Sequence, residues 1–265
     1  SSLETIRSAA AEIINSIDAN FAELQKARRR HDLALCLLIP GIVVLWVGGL
    51  APAAPDELAN GYSALLYSLP VIEAILMPVM MAVLASRLWD MEIKGNTPKL
   101  LYTLQSRRSL FAGKAVFGVS EVLLVTVLEL VCVPVLGRVH GYTEVFPAGQ
   151  LAYLFVCTLA VDCMLFFGEF LLMLWVGNPL PALCVGIVGA LVGLFSAFMP
   201  PIASYFVPFG YYIPLSAYEV ANWDKATHTV TYGTRPFNWG LLTFTLALGA
   251  VLFALAWRKV QDEEV

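Results

Sequence analysis

Charge is scarce in this chain: only 14% of its 265 residues are Asp, Glu, Lys or Arg, against 59% hydrophobic. Soluble domains run at about 25% charged and about 45–50% apolar, so the scarcity argues against a soluble globular protein. A net charge of −4 gives no reason to expect a nucleic-acid partner. Histidine is also rare, and His31, His140 and His228 are dispersed, with no chemistry assigned to them. The five cysteines, Cys36, Cys132, Cys157, Cys163 and Cys184, include no C-x-x-C pair, and no His stands at metal-ligand spacing from any of them. Each sits in an apolar stretch and reads as a small hydrophobe, so no metal is expected.

Catalytic signatures are missing too. H-E-x-x-H does not occur, and Gly118-Val-Ser120-Glu121-Val122 fails the G-x-S-x-G pattern at its last position. Nor is there a phosphate-binding G-x-x-x-x-G-K-[ST] loop: Gly113-Lys114 is followed by Ala115, and the position five before Gly113 is Arg108. The expectation is a chain that is not an enzyme. The polar stretch before Lys26 lacks an apolar core with a small-residue cleavage site, so no cleavable signal peptide is expected.

What the sequence has is apolar length. A helix needs about 20 mostly apolar residues to cross the hydrocarbon core. Stretches at 33–50, 65–88, 113–136, 151–176, 181–199 and 239–257 approach or meet that requirement. The predicted fold class is an all-α membrane protein with about six transmembrane helices, residues 33–257 forming the six-span membrane domain. Pro70 and Pro78 are expected to kink the second span. Residues 1–32 precede the spans. Ile6, Ala10, Ile13, Ile17, Phe21 and Leu24 recur at helical spacing, giving an N-terminal amphipathic helix that ends in the basic anchor Arg28, Arg29 and Arg30. Residues 258–265 are a polar tail.

Orientation follows from Lys and Arg near the span ends. With the N-terminus inside, 13 of the 16 basic residues face the cytoplasm, and only Arg138, Lys225 and Arg235 lie outside. Both termini are therefore expected in the cytoplasm.

The inside segment between the second and third spans carries helix punctuation. Gly95 and Asn96 suit a helix end, Thr97 an N-cap and Pro98 the first helical position. Lys99 to Gln105 then supplies about two turns, with Leu100, Leu101 and Leu104 on one side. One reading is an ordinary basic inside loop; the other is a coupling helix that docks on a cytosolic motor subunit. Glu92-Ile-Lys-Gly-Asn-Thr-Pro-Lys99-Leu-Leu-Tyr-Thr-Leu104, with Ser106-Arg107 and Lys114, resembles the inside loop of ABC transporter type-2 permeases. The branch it looks most like gives immunity to lantibiotics and to related peptides such as bacitracin. Glu23-Leu-Gln-Lys26, Asn178-Pro-Leu-Pro-Ala with Gly186 to Ser196, and Val207-Pro-Phe-Gly-Tyr-Tyr-Ile-Pro214 fit the same pattern.

The resemblance implies a permease subunit of an ATP-driven exporter of antimicrobial peptides in the bacterial cell membrane. Its partners would be two ATPase subunits and a second permease chain, identical or related. ATP and Mg would sit on the ATPase, leaving this chain without a cofactor. Thr97, Pro98, Lys99, Leu100, Leu101, Leu104 and Gln105 would couple to that ATPase. A different class remains open, a proton-coupled secondary transporter using carboxylates within the membrane.

Those carboxylates are Glu73, Glu121, Glu129, Asp162 and Glu169, all inside predicted spans. Five charges at mid-bilayer would cost about 12–17 kcal/mol on insertion scales, so they must face protein or water, or hold protons. The five are expected to form an intramembrane polar cluster, with Glu121, Glu129, Asp162 and Glu169 placed to meet from two successive spans, either functional or a packing device. Gly186, Gly189 and Gly193 form a small-residue stripe that reads as packing within the chain or as a dimer seam lining the route. Residues 200–237, rich in Pro and aromatics, read as an aromatic belt or as an outer re-entrant cap of two short helices.

Overall fold

A computed structural model describes residues 32–48, 55–93 and 107–262, together with positions 4, 7, 8, 10, 11, 14 and 15. Those seven early positions are helical and exposed. The rest of the amphipathic segment, the Arg28–Arg30 anchor and the proposed coupling helix at 97–105 lie outside the described residues.

The fold is mostly helical. The helices are α1 (Asp32–Gly48), α2 (Pro55–Ala59), α3 (Gly61–Ile93), α4 (Arg107–His140), α5 (Ala148–Val176), α6 (Pro179–Ser196), α7 (Pro201–Ser204) and α8 (Trp239–Asp262). Five of these, α3, α4, α5, α6 and α8, are long and apolar enough to cross a membrane, and α1 adds a further 17 residues with Pro40 inside. The chain is therefore a multi-pass membrane protein. Helix α3 keeps Pro70 and Pro78 within one 33-residue run, about 50 Å at 1.5 Å per residue. Helix α4 begins at Arg107, ahead of the predicted span at Gly113, and α8 continues past Trp257 to Asp262. Hydrophobic length marks what the bilayer requires, whereas backbone hydrogen bonding carries helices on into polar flanks.

Each tight connection has a local cause. Helix α5 stops at Gly177, whose φ of 69° is left-handed and costs glycine nothing. Its N–H donates to the Met173 carbonyl at 2.8 Å. Asn178 then caps α6, its Oδ1 accepting the Leu180 N–H at 3.0 Å, with Pro179 opening the helix. At the other end of the bundle, Glu144 in the α4–α5 connection accepts from the Ser63 N–H at 3.0 Å and the Ser63 hydroxyl at 2.5 Å. A carboxylate is thus placed over the orphan amides at the start of α3. Glu144→Gln is expected to lower stability by about 1 kcal/mol, read as an earlier unfolding transition in detergent. An unchanged transition would show that the cap is idle.

Between α6 and α8 the chain forms strands where the sequence suggests none. The sequence predicts an aromatic belt or two short helices for residues 200–237. The segment comprises α7, a 3-10 turn at Pro208–Gly210, and an antiparallel hairpin of β1 (Tyr218–Asp224) and β2 (Thr229–Thr234). Val220, Trp223, Val230, Thr231 and Tyr232 are strand formers, and helical periodicity ceases there. A bulge lies between Val220 and Asn222. At the tip, Asp224 Oδ1 accepts the Ala226 N–H at 2.9 Å, which holds its carboxyl below the usual range. The hairpin's base rests on α3, with Tyr232 and Tyr67 at 5.3 Å between ring centroids. The hairpin thereby marks the end of the bundle where α3 starts.

The core is built around α3. Leu66, Leu69, Met77, Met81 and Leu84 are buried among Val122 and Val125 of α4 and Val161, Met164 and Phe166 of α5. Across its apolar window α3 is 67% buried, whereas α8 is 22%. Helix α3 is therefore the central post, packed against α6 and α5. Helix α8 lies against α5 and leaves most of its surface to the surroundings.

Candidate functional site

Three helices deliver carboxyl groups to one level of the bundle. Glu73 lies in the first half of α3, Glu129 in the last third of α4, and Asp162 at the midpoint of α5. At 1.5 Å per residue each is about 16–21 Å from the hairpin end, near the middle of a hydrocarbon layer about 30 Å thick. Glu73 and Asp162 are 0% exposed and Glu129 is 1% exposed. Charge so deep requires partners, and the partners decide what the site can do.

Asp162 is the best served of the three. The Tyr212 hydroxyl donates to its Oδ1. Thr126 lies 3.4 Å from Oδ2, but its single hydroxyl proton has a closer acceptor in the Val122 carbonyl, 2.8 Å away. Glu73 accepts from the Thr158 hydroxyl at 3.2 Å through Oε2, while its Oε1 has no donor. Glu129 has none on either oxygen. The Glu73 and Glu129 side chains face each other within hydrogen-bonding reach. Ionised carboxylates only accept, so these two can bond to one another only with a proton between them. Among the described residues, no Lys or Arg stands against any of the three carboxyls.

The structure thus brings together three of the five predicted carboxyls. Glu73, on the second predicted span, joins Glu129 and Asp162. Glu169 is seven residues beyond Asp162, about 10 Å further along α5, and Glu121 is about 12 Å from Glu129 along α4. Both are buried, and neither is among the groups acting on the Glu73–Glu129–Asp162 site. Both Glu169 oxygens are buried without a donor, and the indole N–H of Trp89 is buried without an acceptor. Near that far end the buried Lys114 ammonium donates to the Leu88 carbonyl.

Three members of the site carry no such role in the sequence reading. Thr126 precedes Glu129 by three residues and Thr158 precedes Asp162 by four, so each lies one helical turn from a carboxyl. That spacing is a usable signal. Tyr212 has none, because it arrives from a connection whose path no periodicity reveals.

The path is set by glycine. Gly193 of α6 lies against the backbone of the 3-10 turn, where an added Cβ would stand 2.9 Å from the Phe209 carbonyl carbon and 3.0 Å from the Gly210 nitrogen. Gly189 meets the Phe209 ring, and Gly186 meets Ala82 and the Pro78 carbonyl of α3. The close neighbours of all three stripe glycines belong to the same chain. The exposed side of α6 carries Val188, Leu191 and Phe195 instead. This close approach lets the segment after α7 turn back into the bundle, burying Tyr211, Tyr212 and Leu215.

A bundle of apolar helices around a buried carboxyl site defines a polytopic membrane protein. The chain belongs to the ABC-2 family of transporter proteins, whose sequence profile matches residues 21–207. That span runs from the end of the amphipathic segment, through α1 to α6, to the start of the segment bearing Tyr212. The hairpin and α8 lie beyond it. No curated protein matches the chain. Family membership makes this chain a membrane component and not the ATPase, and implies an ATPase subunit as its partner.

Proposed function

We propose that the chain is the permease subunit of an ATP-driven exporter that gives immunity to lantibiotic-like antimicrobial peptides. The family match over residues 21–207 carries the reading. The likeness of Glu92–Leu104 and Val207–Pro214 to the immunity branch supports the substrate class. The protein would sit in the bacterial cell membrane with both termini in the cytoplasm, a placement supported by the 13-to-3 distribution of basic residues. It would work with two ATPase subunits, which bind ATP and Mg, and with a second permease chain. The exposed α6 face at Val188, Leu191 and Phe195 suits that second chain, since the glycine stripe is filled from within. Thr97, Pro98, Lys99, Leu100, Leu101, Leu104 and Gln105 would form the knob that receives the ATPase stroke.

The substrate class is tested by expressing the chain with its ATPase in a lantibiotic-sensitive strain. The expected result is survival at about tenfold higher peptide concentration, lost when the ATPase lacks its catalytic carboxylate. Equal killing with and without the chain contradicts the substrate assignment and leaves family membership untouched. The buried carboxyls favour one other reading, a secondary transporter driven by protons. It requires transport by this chain alone on a pH gradient.

A further inference from the structure

Glu129 is the odd member of the buried site. Its carboxyl group is buried, and neither oxygen meets a donor. The nearby hydroxyl protons are committed elsewhere: Thr158 to Glu73, Tyr212 to Asp162, and Thr126 to the Val122 carbonyl. What faces Glu129 is Glu73 and Asp162, with Cys132 one turn along its own helix. An ionised carboxylate here would have carboxylates for neighbours and, among the described residues, no cation to offset its burial. A protonated Glu129 can instead share its proton with Glu73, which removes the charge and gives one oxygen of each a partner.

We infer that Glu73, Glu129 and Asp162 form an internal proton-binding site whose bound proton keeps the segment around Tyr212 docked in the bundle. The ligand is a proton because Glu73 and Glu129 can bond to each other only with a proton between them. The ionisable groups that face the site are few. Glu73 comes from α3, Glu129 and Cys132 from α4, and Cys157, Asp162 and Cys163 from α5; Tyr212 comes from the returning segment. Helices α6 and α8 place no ionisable group against it among the described residues.

The link to movement is mechanical. Loss of the shared proton leaves carboxylates from three helices acting on one another in a buried site, and their repulsion is relieved when the site opens to solvent. Of the groups that contact the site, Tyr212 alone is not on a spanning helix, so the returning segment is the part free to give way. Its hydroxyl bond to Asp162 is the contact that must break. The inference concerns the site itself and holds whatever the chain transports.

The test uses the full chain in lipid nanodiscs with two readouts. Infrared spectroscopy of the wild type should show a carbonyl stretch of a protonated buried carboxyl that is lost in Glu129→Gln and kept in Glu169→Gln. Amide hydrogen exchange at Tyr211, Tyr212, Ile213 and Leu215, corrected for intrinsic rates, should rise at least about fivefold from mildly acidic to mildly alkaline buffer. Glu129→Gln should flatten that rise. Tyr212→Phe should keep the infrared band while exchanging fast at every pH. A wild type with no such band, or exchange in this segment that ignores pH, overturns the inference. Both readings come from the native sequence, so a variant that fails to fold does not rescue it.

Discussion

Gly193→Leu should lower stability by about 2–3 kcal/mol, at the upper end of ordinary overpacking, and should expel the returning segment from the bundle. The new side chain would begin within 3.0 Å of three backbone atoms, the Phe209 carbonyl carbon and oxygen and the Gly210 nitrogen. Flexible side-chain ends can swing aside; a backbone turn opened by Pro208 and packed on α6 cannot. Gly210 has the reciprocal problem, since a Cβ there would stand 2.7 Å from the Gly193 carbonyl oxygen and against the Ser196 hydroxyl. Loss of the contact removes Tyr211, Tyr212 and Leu215 from the core together, so the damage spreads beyond one residue. Thermal unfolding in detergent reads the stability change, and protease accessibility near Tyr205–Ser216 reads the expulsion. Gly240→Leu is the control: the nearest atom to a Cβ at Gly240 is 3.9 Å away, and little change is expected.

Asp162→Leu should cost about 2–4 kcal/mol, and the same change beside Tyr212→Phe should cost less than the two single effects combined. Removing Asp162 leaves the buried Tyr212 hydroxyl without its acceptor, a loss of about 1–3 kcal/mol. Replacing both partners by apolar groups removes the orphan along with the bond. The coupling from a double-mutant cycle should reach about 1–2 kcal/mol, near the top of the range for hydrogen bonds between membrane segments. Additive losses would mean that the Tyr212–Asp162 bond contributes nothing beyond packing.

The helical framework is legible in the sequence because bilayer thickness imposes apolar length. Helices α3, α4, α5, α6 and α8 each lie within a few residues of where the apolar runs place them. Their ends move where other forces set them. Gly177 and Asn178 are readable as a tight turn because a left-handed glycine followed by a capping amide leaves a local signature. Helix α4 starts at Arg107, where hydropathy discards the arginines but Ser106 reads in the sequence as a cap for the helix leading into the third span. The hairpin at 218–234 is hidden because a two-stranded ribbon with most residues exposed on β1 has no strong alternation to read. The carboxyl site is half visible. Rare charges on apolar helices point to a cluster, and spacing along one helix is readable, but relative rotation between α3, α4 and α5 is not. Of the five carboxyls expected in one cluster, Glu73, Glu129 and Asp162 therefore meet, while Glu121 and Glu169 stay apart. Tyr212 depends on Gly193 admitting a backbone turn, a contact between elements that no local pattern encodes.

The central claim is that this chain moves its substrate only when a separate ATPase works on it. The direct measurement is peptide transport in proteoliposomes holding the chain alone, the chain with the ATPase that co-purifies with it, and that same pair with Thr97–Gln105 scrambled. Transport that appears only with ATPase and ATP, and vanishes on scrambling while the spans remain folded, is the expected result. Transport by the chain alone on a pH gradient, indifferent to ATP and to the scrambled segment, would contradict it.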